Sequence, residues 1–490
     1  MIKKILIIGS GFSSISAATY LADKGYQVSI FEKNSTYGGR ARSFKAKGFS
    51  FDMGPSWYWM PDVFEKYFND FNKTVSNYYT LKKLDPAYKV FFGTNDEIEI
   101  KGDINEIAKT FENLEKGSSK KLFSFMSEAK KNYSIAMDKI VYKPGISILE
   151  LITFQTLKRI RYFLTDIKSE IAKKFKHKKI RQILEFPVLF LGAKPEKTPA
   201  FYNIMNHADF GLGTWFPDKG GMYKIVESMI ELAKEKGVQF YSSRAVEEIL
   251  IEKNSVIGVK CDGEIYDFDI IISGADYNHT ETLIAKKYRG YSEKFWNKKI
   301  FAPSSLLFYL GINKKVKNFD HHNLFFDVDF NKHASEIYDY PKWPESPLFY
   351  LNFPSKTDST MAPEGCENCF ILMPIAPGLN DNQDLREKYF NIIIDRIEKV
   401  SGEKIRNNIV YKKSYCIKDF IDDYNSYKGN AYGLANTLLQ TSIFKPKMKS
   451  KKVKGLFFTG QLTVPGPGVP PSLISGKIVS DLVMKDFPNQ

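Results

Sequence analysis

"IIGSGFSSISAATYL", residues 7–21, carries Gly9 and Gly11 at the spacing of a dinucleotide-binding turn but has Ser14 where a third glycine would complete the pattern. The flanking residues decide how it is read. "KILIIG" before the turn is an unbroken apolar run, as in a strand buried on both faces of a parallel sheet, and it breaks at Gly9. From Ser14 to Lys24, Ile15, Ala18, Tyr20, Leu21 and Ala22 recur at mostly helical spacing, and Gly25 ends the helix. A second strand, "QVSIFEK", closes in Glu32, 21 residues beyond Gly11. Strand, glycine turn, helix, strand and acid together make a βαβ unit for a dinucleotide. Gly9 allows the tight turn, and Gly11 lets a pyrophosphate approach the unpaired N–H groups of the helix start. Glu32 can accept hydrogen bonds from ribose hydroxyls, and its charge would repel a 2′-phosphate. Serine at position 14 adds only a hydroxymethyl group to the helix-to-strand contact, and such a serine can also cap the helix or bond a phosphate oxygen.

The next segment bears on which dinucleotide is bound. "EKNSTYGGRARSF" places Gly38, Gly39, Arg40 and Arg42 just after the acidic strand end, followed by "FSFDMGPSWYWMPD". A glycine pair with arginines at this place reads as a second phosphate contact, which nicotinamide dehydrogenases lack. Here the chain resembles the FAD-dependent amine oxidase and phytoene desaturase superfamily. Near the other end, "KGLFFTGQLTVPGPGVPPSLISGKIVSDLV" (454–483) reads as a short strand, Leu456 to Thr459, then a stiff Gly/Pro loop, then a helix from about Pro471 or Ser472. With "MAPEGCENCFILMPIAPGL" (361–379) and "GNAYGLANTLLQ" (429–440), it resembles the carotenoid desaturases of bacterial and fungal phytoene desaturase type along most of the chain.

The resemblance implies an α/β fold: a Rossmann-like FAD-binding domain of the two-dinucleotide-binding-domain flavoprotein type, a mixed-sheet substrate domain and a helical lid. The expected segments are 1–75, 236–285 and 421–490 for FAD binding, 76–102 and 286–420 for the substrate domain, and 103–235 for the lid. It implies FAD contacts from Gly9, Gly11, Phe12, Ser13 and Ser14, from Glu32, Lys33, Gly39, Arg40 and Arg42, and from Gly54, Pro55 and Ser56. From the later segments it implies Val246, Gly274, Gly460, Gln461, Gly468, Val469, Pro470 and Pro471. By spacing alone Val246 is a core valine. "GVQFYSSRAVEEILIEKNSVIGVKCDGEIYDFDIIISGAD" (237–276) reads as a hairpin meander leading to a buried strand, Ile270 to Ser273, that ends at Gly274.

Composition sets outer bounds. The 490 residues exceed one ordinary core, and 43% hydrophobic with 26% charged residues suits a folded multi-domain protein. The 39 Phe and 28 Tyr could line a large apolar cavity. A net charge of +15 favours anionic partners, and with no recognition motif nucleic acid is not expected among them. From 151 to 185, ten basic residues face three acids with Leu, Ile, Phe and Tyr between them, as in a helix lying in a membrane surface. Another basic run, 444–454, reads as an exposed loop. Four cysteines and no secretory pattern point to the cytoplasm, with peripheral attachment to its membrane; no window is long and apolar enough to span a bilayer. Cys366 and Cys369 form a C-x-x-C without a second pair, so no metal site is expected.

The chemistry implied by the resemblance is a two-electron dehydrogenation of a long-chain carotenoid, selected by tunnel shape and apolar lining. Phytoene desaturation to a lycopene-like product leads, with 3,4-desaturation of a hydroxylated carotenoid as the alternative. A carotenoid isomerase and a prenyl-lipid chaperone of the Rab escort type stand behind them. No catalytic base is legible: Asp138, Asp209 and His207 lie in the lid region, where ordinary surface residues would look the same. The number of subunits is not legible either.

Overall fold

The computed structural model describes residues 2–189 and 192–489. Two sheets organise it. The first is five-stranded and wholly parallel, in the order Leu456–Phe458, Ile270–Ser273, Lys4–Ile8, Gln27–Phe31, Gln239–Tyr241. Its central strands are buried throughout apart from the first residue of Lys4–Ile8 and of Gln27–Phe31, which is why they read as continuous apolar runs. The sheet is assembled from three widely separated parts of the chain, the doubly wound Rossmann-like arrangement expected from the opening motif.

Two helices cross on this sheet, Phe12–Asp23 and Val469–Asp486. They approach so closely that a side chain on Gly476 would run into the Ser13 carbonyl and the Ser16 side chain. Both begin earlier than expected, by two residues at Phe12 and by two or three at Val469. Pro470 and Pro471 thus lie in a first helical turn, where the missing N–H groups cost nothing.

The second sheet is mixed and seven-stranded: Ile409–Tyr415, Ser304–Ile312, Glu367–Ile375, Phe349–Asn352, His322–Phe325, Tyr88–Gly93, Asp96–Ile100. Neighbours are antiparallel except His322–Phe325 against Tyr88–Gly93. Alternation along its strands splits the core. Leu307, Tyr309, Tyr350, Phe370 and Leu372 face the large core shared with the first sheet. Leu306, Phe308, Leu310, Leu351, Ile371 and Met373 face the other way, against Ile393, Ile394 and Ile397 of helix Gln383–Ser401.

The region 103–235 is largely helical, but its basic stretch is not one helix. It is broken into Phe154–Lys158, Ile160–Leu164, Ile167–Lys174 and Lys178–Leu189. Ile167, Ile171, Ile180 and Ile183 point into the core. The exposed apolar side chains lie earlier, at Ile146, Ile148, Leu149, Ile152, Phe154, Leu157, Ile160 and Leu164, each half or more exposed. The basic run 444–454 also departs from the exposed loop expected of it. Lys445 is buried, and Lys447 Nζ donates to the carbonyls of Gly145 and Ile443 at 2.6 and 2.8 Å. Among the described residues no helix is long and apolar enough to cross a membrane.

Candidate functional site

A single cleft of about 690 Å³ runs between the two sheets. One end is built from the first sheet's strand ends and helix starts, the other from aromatic and aliphatic side chains of the second sheet.

At the first end, Gly9 turns the chain with φ of 86°, a left-handed conformation that other residues rarely adopt. The N-cap of helix Phe12–Asp23 is Gly11, with no side-chain cap, so the amides of Phe12 and Ser13 face the cleft without a competing side-chain acceptor. Helix Val469–Asp486 is likewise uncapped at Gly468 and opens on the same cleft. The uncapped start of helix Phe12–Asp23 and a glycine-floored turn fit a dinucleotide, whose pyrophosphate needs donors and close backbone approach, while the proline-rich start of helix Val469–Asp486 adds a stiff wall with few donors.

Glu32 borders the cleft and is already heavily engaged. Its Oε2 accepts from the Ser10 amide at 2.9 Å and the Ser10 hydroxyl at 2.7 Å, and its Oε1 from the Asn34 amide and side chain, both at 2.9 Å. The two Ser10 donors tie the end of the second strand to the glycine turn, and the two from Asn34 fix the carboxylate from its own side. Ser10 and Asn34 were not singled out in the sequence, although a serine inside the glycine turn was the available signal. Lys33 donates to the Asp422 carbonyl at 2.6 Å, and its residue borders the cleft.

The two arginines separate. Arg40 is in the cleft wall and donates to Ser426 Oγ at 3.1 Å and the Asn430 carbonyl at 3.3 Å. Burial lowers its pKa, opposed by the nearby Asp276 carboxylate. Arg42 is outside the wall, ion-paired with Asp423 at 2.5 Å. Ser14 is also outside it: its buried hydroxyl faces Gly274 and has no hydrogen-bond partner among the described residues. The other expected residues come together. Gly9, Gly11, Phe12, Ser13, Glu32, Lys33, Gly39, Arg40, Gly54, Pro55 and Ser56 all border the cleft. So do Val246, Gly274, Gly460, Gln461 and Gly468 through Pro471. Gly54 cannot carry a side chain, because the Arg40 carbonyl occupies that place.

The second end is mostly apolar, with Trp57, Trp59, Phe186, Leu307, Phe370 and Leu372 in its wall. Trp57 stacks on the buried His322 ring at 3.9 Å between centroids and 8° between planes. His333 also borders the cleft. Its Nε2 is 2.9 Å from the Pro374 carbonyl, its Nδ1 accepts from the Leu348 amide at 2.9 Å, and burial lowers its pKa to about 4. It is a neutral, fully engaged imidazole. Asp209 is not a surface residue. It is buried behind the wall, accepts from Tyr88 at 2.9 Å, and is pushed up to about 8 by desolvation. Tyr350 and Tyr432 reach the cleft from strands and loops far apart in the chain, so spacing could not group them.

Residues 13–484 match the family described as flavin containing amine oxidoreductase. A carotenoid 3,4-desaturase from Haloarcula japonica is 40% identical over 489 residues, covering 99% of both chains. A zeta-carotene-forming phytoene desaturase from Myxococcus xanthus is 29% identical over 493 residues, covering 98% of this chain and 94% of its own. Among solved structures, an oxidoreductase from Methanosarcina mazei superposes with a TM-score of 0.64 at 16% identity, covering 98% of this chain and all of its own, a likeness of fold.

Proposed function

The chain belongs to the flavin-containing amine oxidoreductase family, and from that premise we propose that it is a carotenoid 3,4-desaturase acting on a hydroxylated carotenoid. At the coarser level it is an FAD-dependent oxidoreductase of CH–CH bonds among the carotenoid desaturases. The choice of bond is supported by the stronger likeness to the Haloarcula 3,4-desaturase than to the Myxococcus phytoene desaturase, 40% against 29%. The observation that carries the reading is the continuity of the cleft, which joins a dinucleotide cradle to an apolar chamber in one space.

FAD supplies the electron-accepting ring for removal of two hydrogens from adjacent carbons. The chain's own residues bind and align. The amides at the start of helix Phe12–Asp23 would meet the pyrophosphate, Glu32 the ribose, and the start of helix Val469–Asp486, with Gly54 to Ser56, the ring. Arg40, held by Ser426 and Asn430, would add positive charge to the same cradle. Trp57, Phe370 and Leu372 keep water from the reacting chain and bind it by shape.

The substrate also implies a route from lipid. The exposed run Ile146 to Leu164 supplies apolar side chains, with Lys158, Arg159 and Arg161 among them, and suits insertion into one leaflet. Phytoene desaturation is the second reading, favoured by the predominantly apolar chamber and the Myxococcus relative.

The test is incubation of FAD-loaded protein with liposomes carrying phytoene, lycopene or a lycopene bearing a terminal hydroxyl, followed by pigment analysis. A longer chromophore from the hydroxylated carotenoid supports the proposal. Conversion of phytoene with the hydroxylated carotenoid untouched would replace it with the second reading.

A further inference from the structure

One wall of the cleft holds hydroxyl groups that a pure hydrocarbon would leave unused. On strand Ser304–Ile312 the side chains facing the cavity include Ser305 and Leu307. Ser305 pairs with Pro374 of the neighbouring strand, whose cavity-facing residues are Phe370, Leu372 and Pro374. In this apolar surface Ser305 is 1% exposed, and its Oγ has no hydrogen-bond partner among the described residues. A buried hydroxyl without a partner is a cost that an apolar ligand would not offset.

Tyr432 stands beside it. Burial pushes the Tyr432 phenol up to about 12, with the Ser305 hydroxyl as its neighbour. Tyr350 enters the same chamber from strand Phe349–Asn352; its hydroxyl lies 2.6 Å from His322 Nδ1 and donates to Ser56 Oγ at 3.1 Å. The chain His322, Tyr350, Ser56 therefore ends in a second hydroxyl at the cavity wall.

This end of the cleft is uncharged. The charged side chains of the wall, Glu32, Lys33, Arg40, Arg244, Asp276 and Asp423, belong to the dinucleotide end, and His333 is neutral with both nitrogens engaged. An ammonium or carboxylate placed among the phenols would be buried without a counter-charge, whereas a hydroxyl would find both donors and acceptors.

We infer that Ser305 and Tyr432, backed by Tyr350 and Ser56, form a seat for one uncharged oxygen, a hydroxyl near the end of the carotenoid chain. The inference rests on the desaturase reading and assigns the residues that distinguish a hydroxylated carotenoid from its hydrocarbon parent. A site built to bond a hydroxyl discriminates strongly against the analogue that lacks it, because its own polar groups are then left unpaired.

The test separates binding from turnover. Holoenzyme, Ser305→Ala and Tyr432→Phe are titrated with lycopene and with lycopene carrying one terminal hydroxyl, following carotenoid absorbance, with FAD content and melting temperature as folding controls. Tenfold or greater preference of the wild type for the hydroxylated carotenoid is expected, falling to within threefold of parity in Ser305→Ala and dropping at least severalfold in Tyr432→Phe. Equal binding of the two carotenoids by the wild type, or an undiminished preference in flavin-loaded Ser305→Ala, overturns the seat. Because affinity is read without turnover, a protein that prefers the hydroxylated carotenoid but desaturates only phytoene would sink the proposed reaction and leave the seat standing.

Discussion

Ser14 Oγ occupies the space that a side chain on Gly274 would need, so the helix of the opening βαβ unit and the end of strand Ile270–Ser273 fit together as serine against glycine. The missing third glycine of the fingerprint is thus matched by a glycine 260 residues further on. Ser14→Gly is expected to retain FAD, with affinity within about threefold of wild type, since the hydroxyl has no hydrogen-bond partner to lose. Gly274→Ala is expected to destabilise by about 1–3 kcal/mol through overpacking. The double variant should recover most of that loss, as coupled neighbours do. Flavin fluorescence on release and thermal melts of the three variants check this; loss of flavin in Ser14→Gly would mean that the hydroxyl itself holds phosphate.

Glu32 gathers four donors from Ser10 and Asn34, so it shapes the turn as well as facing the cofactor cleft. Glu32→Ala leaves those donors unpaired, and hydrogen bonds to a charged group are worth about 1.5–3 kcal/mol each. FAD affinity should fall more than tenfold by equilibrium dialysis. Glu32→Gln, which keeps an acceptor oxygen, should fall less.

The exposed apolar run makes membrane attachment separable from cofactor binding. Replacing Leu149, Phe154 and Leu164 together with glutamate removes three side chains that are 71–74% exposed. Each would contribute about 1.5–3 kcal/mol if buried in lipid. Sedimentation with anionic liposomes should be lost while FAD content and melting temperature hold. Undiminished sedimentation would remove this segment from the membrane contact.

Asp209 links stability to pH. Its folded pKa of about 8 lies well above the ordinary carboxylate value, so the native state binds the proton more tightly than the unfolded chain. Between about pH 4 and 8 the native protein holds this proton while the unfolded chain releases it, and stability falls as pH rises, by up to about 1.4 kcal/mol per unit. Asp209→Asn keeps an acceptor for Tyr88 and removes the titration. Its melting temperature should exceed that of wild type increasingly from pH 5 to pH 8, and parallel pH profiles would show that Asp209 does not titrate in this window.

Much of the dinucleotide end was legible because it is local. Gly9, Gly11 and Glu32 sit on one continuous βαβ unit, where apolar run lengths and a glycine break identify strand and helix without reference to the rest of the chain. The later loop at Gly468 was legible for a similar reason, a glycine before prolines at a helix start, although the helix begins earlier than its prolines suggested. The chamber was not legible in this way. Ser56, Ser305, Tyr350 and Tyr432 come from four segments: sheet pairing and alternation put Ser305 and Tyr350 on one face, and two distant loops bring Ser56 and Tyr432 to the same cleft.

The sequence by itself therefore determined the Rossmann-like core and its glycine turn, since turn chemistry and short-range periodicity are properties of neighbouring residues, and by resemblance it gave the cofactor class and most of the expected residues that border the cleft. Only the tertiary structure decided that Arg40 faces the cleft while Arg42 is held by Asp423, and that Ser14 answers Gly274 rather than the cleft. It also decided that eight aliphatic and aromatic side chains between Ile146 and Leu164 remain outside while the lysine-flanked isoleucines after them are buried. Each of these outcomes depends on which distant segment packs opposite, and that partner is set by long-range burial and pairing.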